Sequence, residues 1–161
     1  MRARQMSNTS HHLDIQWACD DEFSLNESIQ QWADLCLNSI TVDASEISLR
    51  IVSADEMIAL NSEYRGKNKI TNVLSFPLDV RSENNRQLLG DIAICTDLVK
   101  TEAKEQEKPV EAHFAHLLVH GILHLSGYDH TDDKEAEVME NLERKILADI
   151  GFSDPYENKK L

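Results

Sequence analysis

The chain has 161 residues, 41% of them hydrophobic, and carries 29 acidic against 16 basic side chains for a formal net charge of −13. That length suits one domain spanning 1–161, able to bury roughly 70% of the surface its unfolded form exposes, so no metal is needed merely to hold a core together. The charge excludes a generally basic, nucleic-acid-coating surface, no apolar run approaches the ~20 residues of a membrane span, and the start Met1-Arg2-Ala3-Arg4-Gln5-Met6 leads into no apolar stretch, so a cytoplasmic protein is expected.

Residues 13–18 and 47–53 alternate apolar and polar side chains, the period of a half-buried strand. Between them, Ser24-Leu25-Asn26-Glu27 reads as a capping box opening a helix to about residue 38. A second helix is expected over 54–64, then short apolar strands at 73–78 and 91–96 separated by a polar loop over 79–87, with Asp91 after Gly90 read as a turn residue. Helices follow at about 97–107, 110–126 and 132–149, the last opened by Thr131-Asp132-Asp133 and ended by Gly151. Trp17, Trp32, Phe114 and Met139 fall on apolar faces and are expected in the core, not as base-stacking platforms. Cys19, Cys36 and Cys95 are odd in number and far apart, so reduced thiols are expected. Acidic residues gather at 20–22, 102–111 and 132–143, away from the segments that carry chemistry.

Those segments are two. From 120 to 130 the chain reads His-Gly-Ile-Leu-His-Leu-Ser-Gly-Tyr-Asp-His. On a helix, His120 and His124 share one face with Cβ atoms about 5–6 Å apart, so their imidazoles can hold one ion. Gly127 can take the positive φ that ends the helix and returns His130 towards the first two. A tetrahedral zinc with Zn–N bonds of about 2.0–2.1 Å would then have three protein ligands and one open position, as catalytic zinc sites do. His116 lies roughly 12 Å from His124 along the axis, at about 1.5 Å per residue, too far to share that ion. It is expected either to stand behind the ligands or to line the site and contact substrate, and His113 to be solvated. The fold class expected is therefore α+β: a small mixed four-stranded β-sheet packed with about five helices, one of them a zincin-like histidine helix. The spacing also follows the metzincin protease pattern except that Gly121 stands where those enzymes carry their glutamate base. Without that carboxylate, peptide hydrolysis is the weaker reading.

The second segment, 61–77, has a basic core, Arg65, Lys67 and Lys69, in a glycine-containing loop between a helix and a strand. A guanidinium fork there can hold phosphate oxygens bidentately, and the two lysines are expected to contact the same substrate. The net charge opposes a polyanion, but binding answers to local potential within a Debye length of about 8 Å, so weak and salt-sensitive RNA binding is expected.

Together these segments resemble the YbeY family of endoribonucleases, also called rRNA maturation factors. The family signature His-Gly-x-Leu-His-Leu-x-Gly-Tyr-Asp-His stands complete at 120–130, and its Asn-x-x-Tyr-Arg segment leading to Thr-Asn-Val-Leu-Ser-Phe-Pro stands at 61–77. Leu89-Gly90-Asp91-Ile92 and the tail over 151–156 are similar too, while Asn68 and Ile70 depart from an expected aspartate and proline. The resemblance implies one Zn2+ per chain on His120, His124 and His130, with Arg65 needed for cleavage. It implies single-stranded RNA as substrate, notably the 3′ end of 16S rRNA, and roles in rRNA processing and ribosome quality control. The small ribosomal subunit and its proteins are the implied partners; neither membrane nor DNA is expected. The nucleophile, water or the RNA 2′-hydroxyl, stays open. Two alternatives stand beside this reading: a metalloprotease lacking its base, and a non-catalytic ribosome-associated zinc protein.

Overall fold

In the computed structural model, residues 10–19, 25–81 and 86–157 are described. Strand β1 (His12–Ala18) leads through helix α1 (Asn26–Ser39) to β2 (Ser45–Val52), and α2 (Ala54–Arg65) follows. Strands β3 (Val73–Arg81) and β4 (Gln87–Cys95) precede helices α3 (Thr96–Glu105), α4 (Val110–Leu125) and α5 (Asp133–Ile150). The described residues thus form the expected α+β arrangement of five helices and four strands.

The sheet runs β1-β2-β4-β3. β1 pairs parallel to β2 and β2 parallel to β4, so the helical crossovers must lie on the sheet faces; β3 pairs antiparallel to β4 and closes one edge. Pro77, which cannot donate to a ladder, sits on that edge strand. Alternation along β2 sends Ile47, Leu49 and Ile51 to one face, where they join Ile92 and Ile94 of β4 and the buried sides of α1, α4 and α5. The other face holds a smaller core, Val52, Met57, Leu74, Ala93 and Cys95, packed by Leu60 of α2 and Leu98 of α3.

Several helix ends follow the sequence. Ser53 caps α2 by accepting from the Glu56 N–H, and Asp132 caps α5 by accepting from the Glu135 N–H at 2.8 Å. Gly151 ends α5 in the left-handed region. Ser24 of the expected capping box lies outside the described residues; α1 begins at Asn26 with Leu25 at the cap position and no side-chain cap bond. Trp32, Phe114 and Met139 are buried, and Trp17 is partly buried with its indole N–H donated to Asn26 at 2.6 Å. Cys19, Cys36 and Cys95 form no disulfide among the described residues.

Two expectations need correction. The polar stretch 79–87 is not wholly a loop, because β3 continues to Arg81 and β4 starts at Gln87, Val80 pairing with Leu88 and Arg81 with Gln87. Backbone pairing on an exposed hairpin tolerates polar side chains, so polarity alone misplaced the strand ends. Gly90 and Asp91 also lie within β4, not in a turn. Gly90 has φ 142°, and a Cβ there would meet the Phe76 carbonyl oxygen at 2.3 Å and Leu125 Cδ2 at 2.9 Å. It is glycine because its positive φ and the close approach of the β3 backbone at Phe76 and Pro77 leave no room for a side chain, with Leu125 of the histidine helix pressing on the same point.

Candidate metal centre

Helix α4 is apolar almost all round, as a helix between a sheet and three other helices must be. Phe114, Leu118, Ile122 and Leu123 are fully buried, which fixes the rotation of the helix and leaves His120 and His124 half-buried on its remaining side. The helix ends in a Schellman motif. Gly127, at φ 104°, donates to the His124 carbonyl at 3.1 Å, and Tyr128 donates to the Leu123 carbonyl at 3.0 Å. That reversal returns the chain, and the exposed His130 comes to rest with its ring centroid 5.6 Å from that of His120 and 5.0 Å from that of His124. The His120 and His124 centroids are 4.7 Å apart.

One nitrogen from each of His120, His124 and His130 lies within 4.8 Å of the other two, and among the described residues no other group of histidine, cysteine or carboxylate side chains comes together so. The fit to a metal follows from that spacing. Tetrahedral bonds of about 2.0–2.1 Å put ligand nitrogens roughly 3.3–3.4 Å apart, so a small inward rotation of the rings suffices. A three-imidazole donor set suits zinc, copper, iron or nickel over calcium or magnesium. Burial lowers the pKa of His124, with the neighbouring His120 and His130 adding to the effect, so the neutral form that can donate a lone pair is favoured. Asp129 stands 4.0 Å from Nδ1 of His124, is not in the cluster, and accepts from the His130 N–H at 2.7 Å.

Behind the triad lies a residue that the sequence reading passed over. Glu143 of α5 is fully buried, accepting from Nδ1 of His120 at 2.6 Å, from Nε2 of His116 at 2.9 Å, and from the Tyr156 hydroxyl. Burial alone would raise its carboxyl pKa, but the two histidine hydrogen bonds reverse that and hold it at about 2. The same burial, with the Glu143 charge, pushes the Tyr156 phenol well above its ordinary value. Grouped by sequence with the acidic run 132–143, Glu143 in fact shares the buried face of α5 with Met139, Ile146 and Leu147. A carboxylate on an apolar helical stripe was the available signal.

His116 therefore sits one turn above the triad, engaged with Glu143 and, at 3.3 Å, with Tyr156, and it lines an open groove bounded by Asn72, the 106–109 turn and the tail over 151–157. His113 is buried rather than solvated. Helix α3 covers its face, and Nε2 is 2.7 Å from Glu102, which also accepts from Asn72 at 3.1 Å.

Arg65, Lys67 and Lys69 are all exposed, and among the described residues none of their side chains makes an ion pair or hydrogen bond. Arg65 is the last residue of α2, capped by Gly66 at φ 68°. The loop is tied down from below, where the buried Asn61 donates to the Lys69 carbonyl at 2.9 Å. It leads into β3, whose Ser75 hydroxyl donates to the Gly121 carbonyl on the histidine helix at 3.3 Å. Gly121 itself faces the sheet. A Cβ there would meet two carbons of Ile92 at 3.2 Å and the Ser75 oxygen at 3.3 Å. Asp91 is exposed on β4, next in sequence to the buried Ile92 that Gly121 meets, and lines a separate groove with Tyr64 and Phe76.

No described helix is long and apolar enough to cross a membrane. The model of the family described as endoribonuclease YbeY matches residues 6–151. An endoribonuclease YbeY of Dichelobacter nodosus (strain VCS1703A) is 53% identical over 129 residues, covering 80% of this chain and 83% of that protein. One of Cellvibrio japonicus (strain Ueda107) is 46% identical over 150 residues, 92% of this chain and 85% of the other. The solution structure of TM1509 from Thermotoga maritima superposes with a TM-score of 0.61 at 26% identity, over 92% of this chain and 91% of that one. The chain belongs to the endoribonuclease YbeY family, and is a hydrolase of the nuclease class.

Proposed function

Taking membership of that family as the premise, we propose that this protein is a zinc-dependent, single-strand-specific endoribonuclease of one domain, acting in the cytoplasm on the 3′ end of 16S rRNA and in ribosome quality control. The observation that carries the metal dependence is the convergence of three imidazole nitrogens within 4.8 Å with no fourth protein ligand among the described residues. A structural zinc is usually closed by four protein ligands, whereas this set leaves one position for a reacting group.

In this reading His120, His124 and His130 hold the ion, which when bound supplies Lewis acidity and acidifies water at the site. Arg65 grips phosphate oxygens and offsets the negative charge that grows on them in the transition state. Among the described residues it has no acidic partner, which supports this role, because a guanidinium already in an ion pair would have to break it to bind substrate. Lys67 and Lys69, unpaired among the described residues, add local positive potential to an otherwise acidic protein, and the part-exposed edge of the His116 ring, whose Nε2 is engaged with Glu143, meets substrate from the groove.

The protease alternative loses further ground. Position 121 faces Ile92 and Ser75, so a glutamate there would enter the helix–sheet interface and not the reaction site. The test is cleavage of matched single-stranded and duplex RNAs by purified protein, with and without a chelator, alongside a denatured protein as competing substrate. Chelator-sensitive cutting of the single strand alone is expected; undiminished cutting after full metal removal contradicts the proposal. The small ribosomal subunit is the proposed partner. Co-sedimentation with it at low but not high ionic strength is expected, since an acidic protein meeting a basic ribosomal protein associates mainly through screened charge. No association at low salt would remove that partner.

A further inference from the structure

Among the described residues Glu143 is the only buried carboxylate. An ionised carboxylate is costly to bury unless its oxygens are filled, and here both are: Oε2 by His120 and Oε1 by His116 together with Tyr156. His116 gives its Nε2 proton to this carboxylate while its own Nδ1 stays buried without a partner, a local cost that points to a purpose beyond satisfying His116 itself. The purpose is legible at His120. Because Nδ1 of that ring donates to Glu143, its lone pair is on Nε2, the atom left to join the nitrogens of His124 and His130.

We infer that Glu143 is a positioning residue of the metal centre, holding His120 in the tautomer and orientation that present Nε2 to the ion, and that Tyr156 makes the tail over 151–157 part of the same unit. This rests on the reading of His120 as a metal ligand. A carboxylate orienting a ligating histidine fixes ring direction and raises ligand basicity, and its loss typically weakens metal binding by about 10–100-fold. Glutamate is required here in the strict sense that three donors need two acceptor oxygens. Glutamine offers one oxygen, and its amide N–H groups would face the protons of the remaining donors. The tail has anchors of its own, Phe152 against Trp32 with ring centroids 5.7 Å apart and Arg144 paired with Asp154 at 3.2 Å, so removing the Tyr156 hydroxyl leaves the tail docked.

The experiment uses the full chain as wild type, Glu143→Gln and Tyr156→Phe. Zinc affinity is read by competition with a chromogenic chelator, ligand geometry by the visible absorption of the Co2+-loaded protein, and folding by circular dichroism. Glu143→Gln is expected to fold, to bind zinc about 10–100-fold more weakly, and to change the cobalt band as the His120 ring loosens; Tyr156→Phe should lose about tenfold, the lower end of that range. A folded Glu143→Gln protein with wild-type affinity and an unchanged cobalt band overturns the inference. Should that variant fail to fold, Tyr156→Phe decides, and wild-type affinity there overturns it. A wild-type protein that takes up neither ion would instead overturn the metal-centre reading beneath it.

Discussion

The turn that carries the histidines and the loop that carries the cations are built on opposite principles. His120 is held from behind by a buried carboxylate, its helix is clamped to the sheet at Gly121, and the reversal at Gly127 is closed by two backbone hydrogen bonds. Arg65, Lys67 and Lys69 are exposed and, among the described residues, unpaired, while the backbone beneath them is fixed through Asn61. The contrast is that of a preorganised centre and of contacts that form only when a polyanion arrives. Damage to the first region should therefore appear as lost stability or lost metal, and damage to the second as lost chemistry in an intact protein.

The sharpest way to break the first region without touching a ligand is Gly121→Glu. The new side chain meets Ile92 and Ser75 in a dry interface, and an unpaired buried charge costs about 3–5 kcal/mol. Urea denaturation should read that loss, and no peptidase should appear; a stable Gly121→Glu protein would mean the helix–sheet contact is looser than described. Gly121→Ala is the fine probe, since about 1 kcal/mol of helix propensity opposes the crowding at 3.2 Å, and a net change near zero is expected.

On the second region, Arg65→Ala should unfold at the wild-type urea concentration, keep its metal, and cleave single-stranded RNA roughly 10²–10³-fold more slowly under single-turnover conditions, the usual loss for a group that offsets a developing oxyanion. Arg65→Lys should recover part of the rate, because it restores charge but not the bidentate fork. A wild-type rate in Arg65→Ala would return Arg65 to an ordinary solvated residue. A modest, pH-dependent effect concerns His113, whose pKa is lowered by burial, further by Lys108 and His116, against the opposing pull of Glu102. The unfolded chain, titrating near ~6.5, binds that proton more readily, so stability of the metal-free protein should fall as the pH drops below that value. His113→Gln should flatten the fall measured by urea denaturation between pH 7.5 and 5.5, and an unchanged slope would assign the pH dependence elsewhere.

What sequence made legible follows the same divide. The histidine spacing, the glycine that reverses the chain, and the ends of α5 at Asp132 and Gly151 are local features, and the described structure carries each where local rules put it. The α+β layout was readable from periodicity. Partners brought from far along the chain were not. His113 looked solvated because nothing near it in sequence announces the cover of α3, and Glu143 looked like one more acid in an acidic helix until α5 laid it against α4. The strand ends at Arg81 and Gln87 escaped notice because pairing on a hairpin is decided by backbone geometry.

Elemental analysis of zinc per chain decides whether one metal ion sits on His120, His124 and His130. One zinc is expected in the wild type, with a sharp loss in His120→Ala, His124→Ala and His130→Ala and retention in His113→Ala. Full zinc content in a folded His130→Ala protein, or retention in His124→Ala with loss in His116→Ala, would contradict it, the second result moving the site one helical turn towards the start of α4.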